Sequence, residues 1–108
     1  MTHPPERPRM VLELATFHID PDREAEFLAH ARRHAAASTR DHEGCHSMQF
    51  GPDAEREGCV HGVVHWSSRE AHTRFLTTDE RLRWRADIDP LLTAPPDLRF
   101  VHTVEVYP

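Results

Sequence analysis

The stretch "CVHGVVHWSSREAHTRFL", residues 59–76, predicts a strand that leads directly into a helix. Its first eight residues are rich in valine and alternate in polarity, as in a strand that is buried on one face. Ser67 and Glu70 have the spacing of a capping box, so we expect a helix to begin where the strand ends. A strand followed at once by a helix is the unit from which mixed α and β folds are built.

The two faces of this strand differ in chemistry. Gly62, Val64 and Trp66 share one face by the two-residue period, and His61 and His65 share the other. An indole on the face that meets the helices can form the wall of a flat pocket, although an ordinary core position is equally consistent with the pattern. The two imidazoles should lie roughly 13 Å apart, too far to bind one ion at metal–nitrogen distances of about 2 Å.

The rest of the chain supplies three more strands and one long helix. The segment "MVLELATFHI", residues 10–19, alternates as a strand, and Asp20 and Pro21 then mark a helix start that runs to about Ser38. "CHSMQF", residues 45–50, predicts a second strand, joined to the strand at 59–66 by a polar loop. Thr77 or Thr78 caps a further helix, "TAPPD" ends it, and "LRFVHTVEVY", residues 98–107, alternates as the last strand.

This order predicts an α+β fold of the ferredoxin-like, split βαβ type, with a four-stranded antiparallel sheet. Residues 1–9 should form a flexible, proline-rich arm, and residues 10–108 a single domain. Helices would cover one face of the sheet. The other face carries apolar residues and histidines in alternate positions, so a second copy of the chain should cover it as a homodimer.

Composition and cysteine placement bear on the expected partners, the cellular location and the redox state of the thiols. The net charge is −5, and the 13 basic residues, all arginine, form no cluster, which disfavours nucleic acid as a partner. No stretch suggests a signal peptide or a membrane span, so we expect a cytoplasmic protein without a membrane partner. A hairpin that pairs Phe50 with Cys59 and Cys45 with Val64 would hold the two thiols roughly 15 Å apart and therefore reduced.

Two long segments resemble the antibiotic biosynthesis monooxygenase family of dimeric α+β barrel proteins. They are "DPDREAEFLAHARRHAAASTRDHEGC", residues 20–45, and "VVHWSSREAHTRFLTTDERLRW", residues 63–84. The first is similar to the family's proline turn, Phe-bearing helix and Glu-x-Gly-Cys ending, and the second to its strand-ending tryptophan and Glu-Ala-His helix. The resemblance spans nearly the whole chain from Met10 to Tyr107 and implies a dimeric barrel whose interior receives the face of His61 and His65.

Family members perform several reactions, so the fold does not fix the activity. The haem-degrading branch needs a histidine in the last helix and an asparagine in the first strand, where this chain has Arg85 and Ala15. The cofactor-free, quinone-forming branch has a tryptophan ending the third strand, which Trp66 matches. Its asparagine and tyrosine are replaced here by Gly62 and His72. The resemblance therefore disfavours haem and implies the cofactor-free branch through one match in three.

We expect His72 to act as the general base, Trp66 to form the pocket wall and Arg85 to donate to an oxyanion. The simpler alternatives are a half-exposed helix histidine, a core tryptophan and a surface ion pair between Arg85 and Asp89. The expected substrate-binding residues are Phe50, Gly62, Val64 and Phe75. Among these, Gly62 either opens room for a ligand or marks a bulge, and the two phenylalanines are otherwise core.

We predict neither a metal nor a cofactor. His30 and His34 lie one helical turn apart and could chelate, but no further ligand stands at a recognised spacing from them. The chain has no glycine-rich phosphate loop, nucleophile elbow or Cys-x-x-Cys pair.

The expected activity is a cofactor-independent monooxygenase that oxidises a polycyclic aromatic or polyketide-type phenol or anthrone with O2. Two alternatives remain: an isomerase or cyclase that uses the same base without oxygen, and a non-catalytic dimer that binds a small hydrophobic molecule.

Overall fold

The computed structural model of the protein describes residues 10–103. The predicted arm at 1–9 and the last residues of the predicted final strand, 104–107, lie outside the described residues. The elements are β1 (Val11–His18), α1 (Glu24–Asp41), β2 (Cys45–Pro52), β3 (Cys59–Trp66), α2 (Arg69–Phe75), α3 (Asp79–Ile88) and β4 (Asp97–His102), with short 3-10 turns at Pro21–Arg23 and Asp89–Leu91. Within residues 10–103, no helix has both the length and the apolar composition needed to cross a bilayer.

The four strands form one antiparallel sheet in the order β2-β3-β1-β4. The prediction of a ferredoxin-like α+β fold is confirmed. Strand β1 lies in the middle, with Val11 opposite Trp66 on β3 and opposite His102 on β4. This register brings the inner residues of β1 beside the end of β3, where α2 begins.

The predicted register of the hairpin is wrong. Phe50 lies opposite Gly62 rather than Cys59, and Cys45 lies opposite Trp66 rather than Val64. The reason is that β2 continues to Pro52, so the loop is shorter than the composition of residues 51–58 suggests. The cysteines nevertheless lie at opposite ends of the hairpin, and both thiols are free.

Side-chain caps fix where the helices begin. Asp20 accepts from the backbone N–H of Asp22 and starts the 3-10 turn, after which α1 follows. The cap of α2 is Ser68, which accepts from the N–H of Ala71 at 3.1 Å, and not Ser67 as the capping-box spacing predicted. Thr78 caps α3, one of the two residues predicted for that position. Each cap satisfies N–H groups that have no partner within the helix.

The helices cover one face of the sheet and enclose two adjoining apolar clusters. One cluster joins β1, α1 and α3 around Phe17, Phe27 and Trp84, and the other joins β3 and α2 around Trp66 and Phe75. The buried stripe of α1 consists of Phe27, Ala31, His34 and Ser38. Leu28 and Ala35 on the same helix are only partly buried.

Candidate active site

A cavity lies between the sheet and helices α2 and α3, where the two apolar clusters meet. Counted with the solvent at its open mouth, its atom-free space is about 550 Å³, of which about 60 Å³ admits the centre of a water-sized sphere. Six of the seven predicted site residues line it: Phe50, Val64, Trp66, His72, Phe75 and Arg85. The structure thus places them in one cavity, while their roles remain predictions.

Glu13 is the acidic group of the cavity, and sequence reasoning did not single it out. It projects from β1 with a side chain that is 12% exposed. The indole Nε1–H of Trp66 donates to its Oε1 at 2.9 Å. Burial raises the pKa of Glu13, and the hydrogen bond from Trp66 together with the charges of Arg69 and Arg81 partly opposes that rise. A carboxylate held in this way accepts a proton more readily than an exposed one.

His72 lies one turn into α2, because the Ser68 cap begins that helix directly after β3. Its ring packs edge-on against Trp66, with centroids 5.3 Å apart, and against Phe100, with centroids 4.7 Å apart. Burial, reinforced by Arg69 and Arg81, lowers the pKa of His72 to about 4. The imidazole is therefore neutral near pH 7 and can accept a proton. Its Nε2 is 3.9 Å from Oε1 of Glu13, close enough for the carboxylate to stabilise an imidazolium.

Two arginines from α3 supply positive charge. Arg81 and Arg85 both line the cavity and lie one helical turn apart. Arg85 also pairs with Asp89 at 2.8 Å, which confirms the ion-pair alternative, and its role as a donor to an oxyanion stays a prediction. Burial and the positive charge of Arg85 lower the pKa of Arg81 because both make its charged form less favourable, while Asp89 and Glu13 partly oppose this. An anionic group in the cavity would relieve this cost.

The walls of the cavity are largely aromatic. The ring of Phe50 lies 5.4 Å from that of Trp84, and Phe75 lies 5.1 Å from Trp66. The expectation that Gly62 opens room for a ligand is wrong, because a Cβ there would lie 2.8 Å from the ring of Phe50. Gly62 instead makes room for Phe50 across the strand pair, and Phe50 in turn faces the cavity.

The sequence does contain a signal for each of the two missed residues, Glu13 and Arg81. Glu13 shares the inner face of β1 with Val11, Ala15 and Phe17 by the period of two, and an acid among buried apolar residues needs a partner. Arg81 precedes Arg85 by four residues, which places both on one side of α3.

The remaining histidines that were considered as ligands have other partners. His34 donates from Nδ1 to Oε2 of Glu80 at 2.6 Å and stacks on Trp84 with ring centroids 4.4 Å apart, whereas His30 lies 3.6 Å from Asp87. The pair is thus engaged by two different carboxylates. His61 and His65 lie on the sheet face opposite Trp66, as the alternation of burial along β3 shows.

Comparisons with known proteins agree with this architecture. The family described as antibiotic biosynthesis monooxygenase matches residues 10–87. A candidate monooxygenase of this type from Caulobacter crescentus CB15 is 23% identical, with 92% of this chain and 93% of that chain covered and a TM-score of 0.85. A protein from Mycobacterium tuberculosis is 24% identical over 90% of this chain and 97% of its own, with a TM-score of 0.78. At these identities the structures show the fold alone. The comparison with curated proteins gave no match.

Proposed function

The chain belongs to the antibiotic biosynthesis monooxygenase family, and on that basis we propose that it oxidises a small polycyclic aromatic or polyketide-type phenol or anthrone with O2, without a cofactor. One observation carries the proposal. A buried imidazole, a buried carboxylate and two guanidinium groups converge on a cavity whose walls are aromatic. Flat apolar walls fit a polycyclic ring, and the polar groups fit a ring that loses a proton there.

The first step is removal of a proton from the substrate. His72 accepts it, because its lowered pKa keeps the ring neutral in the free protein. The resulting imidazolium is stabilised by Glu13, whose carboxylate lies 3.9 Å from Nε2. Trp66 holds Glu13 in place through its indole N–H. The negative charge left on the substrate oxygen is balanced by Arg81 and Arg85.

The second step needs no external reductant. The electron-rich anion transfers electrons to O2 and forms a carbon–oxygen bond. Loss of water from the hydroperoxide then leaves a carbonyl, so that a CH2 group and O2 become C=O and H2O. His72 returns its proton to the peroxide oxygen, and the second hydrogen of the CH2 group leaves as a proton that combines with the departing hydroxide. Apolar walls suit this chemistry, since they exclude water from a reactive anion.

Oxygen uptake with anthrone as the probe substrate tests the proposal. We expect His72→Gln to lower kcat/KM roughly a hundredfold or more, since general-base catalysis contributes about that much. His46→Gln is the matched control, because His46 is an exposed histidine on β2 outside the cavity. The acid limb of the wild-type kcat/KM profile should have its midpoint near the His72 pKa of about 4. Unchanged turnover in His72→Gln would remove this residue from the mechanism, and turnover without oxygen uptake would indicate an isomerase or cyclase.

The outer face of the sheet supports a homodimer as the working form. Leu14 and Val101 lie on this face and are 36% and 43% exposed. Leu12, Val63 and the partly exposed His65 extend the same surface. Apolar side chains across a whole sheet face are rarely left in water. A second copy packed face to face would cover them.

A further inference from the structure

Three side chains with metal-binding chemistry meet at the end of the hairpin, on the sheet face opposite the cavity. Asp53 directly follows β2, and Cys59 and His61 are alternate residues of β3. One ligand atom from each lies within 4.8 Å of the other two. We propose that Asp53, Cys59 and His61 bind a divalent transition-metal ion of borderline softness, such as Zn²⁺.

The donor atoms are close to the spacing that such an ion requires. With bonds of about 2.0–2.3 Å to nitrogen, oxygen and sulfur, tetrahedral ligand atoms lie about 3.4–3.6 Å apart. The Sγ of Cys59 is 3.8 Å from Nε2 of His61, and Oδ2 of Asp53 is 2.7 Å from the same nitrogen. To reach this spacing, Nε2 and Oδ2 would have to separate by about 0.7 Å and Sγ and Nε2 to approach by about 0.2–0.4 Å. A fourth position is left for water, as is common where a protein supplies three ligands.

The carboxylate of Asp53 is fixed by the loop. Its Oδ1 accepts from the backbone N–H groups of Glu55 and Arg56 at 2.8 and 3.0 Å, and its own N–H donates to the carbonyl of Cys59 at 2.8 Å. Only Oδ2 faces the other two ligands. The residue thus presents an oriented oxygen to the other two ligands.

The second nitrogen of His61 also has a partner. Its Nδ1 lies 3.1 Å from the hydroxyl oxygen of Thr16 on the neighbouring strand. On metal binding, Nε2 would give up the proton that it donates to Asp53, and Nδ1–H would then donate to this hydroxyl. Histidines that bind metals are oriented by an outer hydrogen bond of this kind.

An ion pair between His61 and Asp53 accounts for two of the three residues only. It gives no role to the buried thiol of Cys59, which is directed at the same nitrogen and has no disulfide partner. Thiolate, imidazole and carboxylate together suit Zn²⁺ and its analogue Co²⁺, whereas Mg²⁺ and Ca²⁺ prefer oxygen ligands alone. The proposal departs from the sequence-based expectation of no metal, which weighed pairs of histidines only.

Cobalt titration of the chelator-treated full chain tests the site. We expect saturable binding of one Co²⁺ per chain, with visible bands of tetrahedral Co²⁺ and a near-ultraviolet band from thiolate to metal. Cys59→Ser should lose the near-ultraviolet band, and Cys45→Ser, which removes the other buried thiol, should keep it. Zn²⁺ should displace the Co²⁺ spectrum.

His61→Gln provides a second variant in case Cys59→Ser fails to fold, since the His61 side chain is 43% exposed. We expect its Co²⁺ affinity to fall at least tenfold, as for other losses around a metal site. His65→Gln, on the same strand face but outside the cluster, should bind as the wild type does. Absence of saturable Co²⁺ binding to the folded wild type, or a thiolate band that depends on Cys45 instead of Cys59, would overturn the proposal.

Discussion

Replacement of Trp66 by phenylalanine isolates the hydrogen bond that holds Glu13. Trp66 is 1% exposed, and its N–H is 2.9 Å from Oε1 of a carboxylate that is itself mostly buried. A hydrogen bond to a charged group contributes about 1.5–3 kcal/mol, and one pKa unit corresponds to about 1.36 kcal/mol. We therefore expect Trp66→Phe to raise the pKa of Glu13 further above its already elevated wild-type value.

The effect on stability has a defined sign. Because the pKa of Glu13 in the folded state is above its ordinary value of 4.5, ionisation of this group costs stability as the pH rises through the folded-state pKa. Trp66→Phe enlarges that cost. The variant should thus lose free energy of unfolding most strongly near pH 8, and the loss should shrink by about 1.5–3 kcal/mol once Glu13 is protonated.

Trp84→Phe is the matched control, because it makes the same tryptophan-to-phenylalanine change at another buried residue of the same cavity. Trp84 is 6% exposed. The pKa of Glu13 can be followed through its carboxyl carbon by NMR, and stability by urea denaturation across pH. If the two variants give Glu13 pKa values equal within about 0.3 unit, or pH-independent losses of equal size, the hydrogen bond does not tune Glu13 and the role given to Trp66 is wrong.

Two further predictions concern a turn and the outer sheet face. Gly44→Ala should destabilise the fold by about 2 kcal/mol or more, because Gly44 has φ +94° and a Cβ there would lie 2.7 Å from Cβ of Ala71. Thermal unfolding measures the loss. Gly51→Ala is the control, because a Cβ at Gly51 meets nothing within 4 Å. Leu14→Glu should convert a dimer to a monomer in light scattering, whereas Leu82→Glu, at a more exposed position on α3, should leave the mass unchanged. A wild-type mass of one chain, or a Leu14→Glu mass of two, would contradict the dimer.

The fold was predictable because its signals are local. Alternation along β1 and β3, the cap at Thr78 and the prolines after α3 each act over a few residues. The hairpin register was not, since it depends on where β2 ends within the polar segment 51–58. Gly51 and Pro52 both suggest a loop, and yet they pair with β3. Packing between strands, rather than composition, decided their place.

The candidate site was predictable for the residues that a single strand–helix unit brings together. Trp66 and His72 are close in sequence, so the strand end and the helix start fix their proximity. Glu13 is 53 positions away from Trp66, and only the pairing of β1 with β3 reveals the contact. The partnership between Asp53 and His61 was missed for a related reason, because it depends on how a loop folds back over the strand.

Strand β3 separates the two sets of chemical groups that the protein carries. Its even-numbered residues face the helices, with Val64 and Trp66 lining the cavity, and its odd-numbered residues, which include Cys59 and His61, face the other side of the sheet. A substitution on one face therefore leaves the side chains of the other face in place. Loss of oxygen uptake in a His72 variant should not alter Co²⁺ binding, and loss of Co²⁺ binding in a His61 variant should not by itself remove the base from the cavity. If one substitution abolished both properties in a folded protein, the two faces would have to communicate through the strand, which the alternation of side chains does not provide.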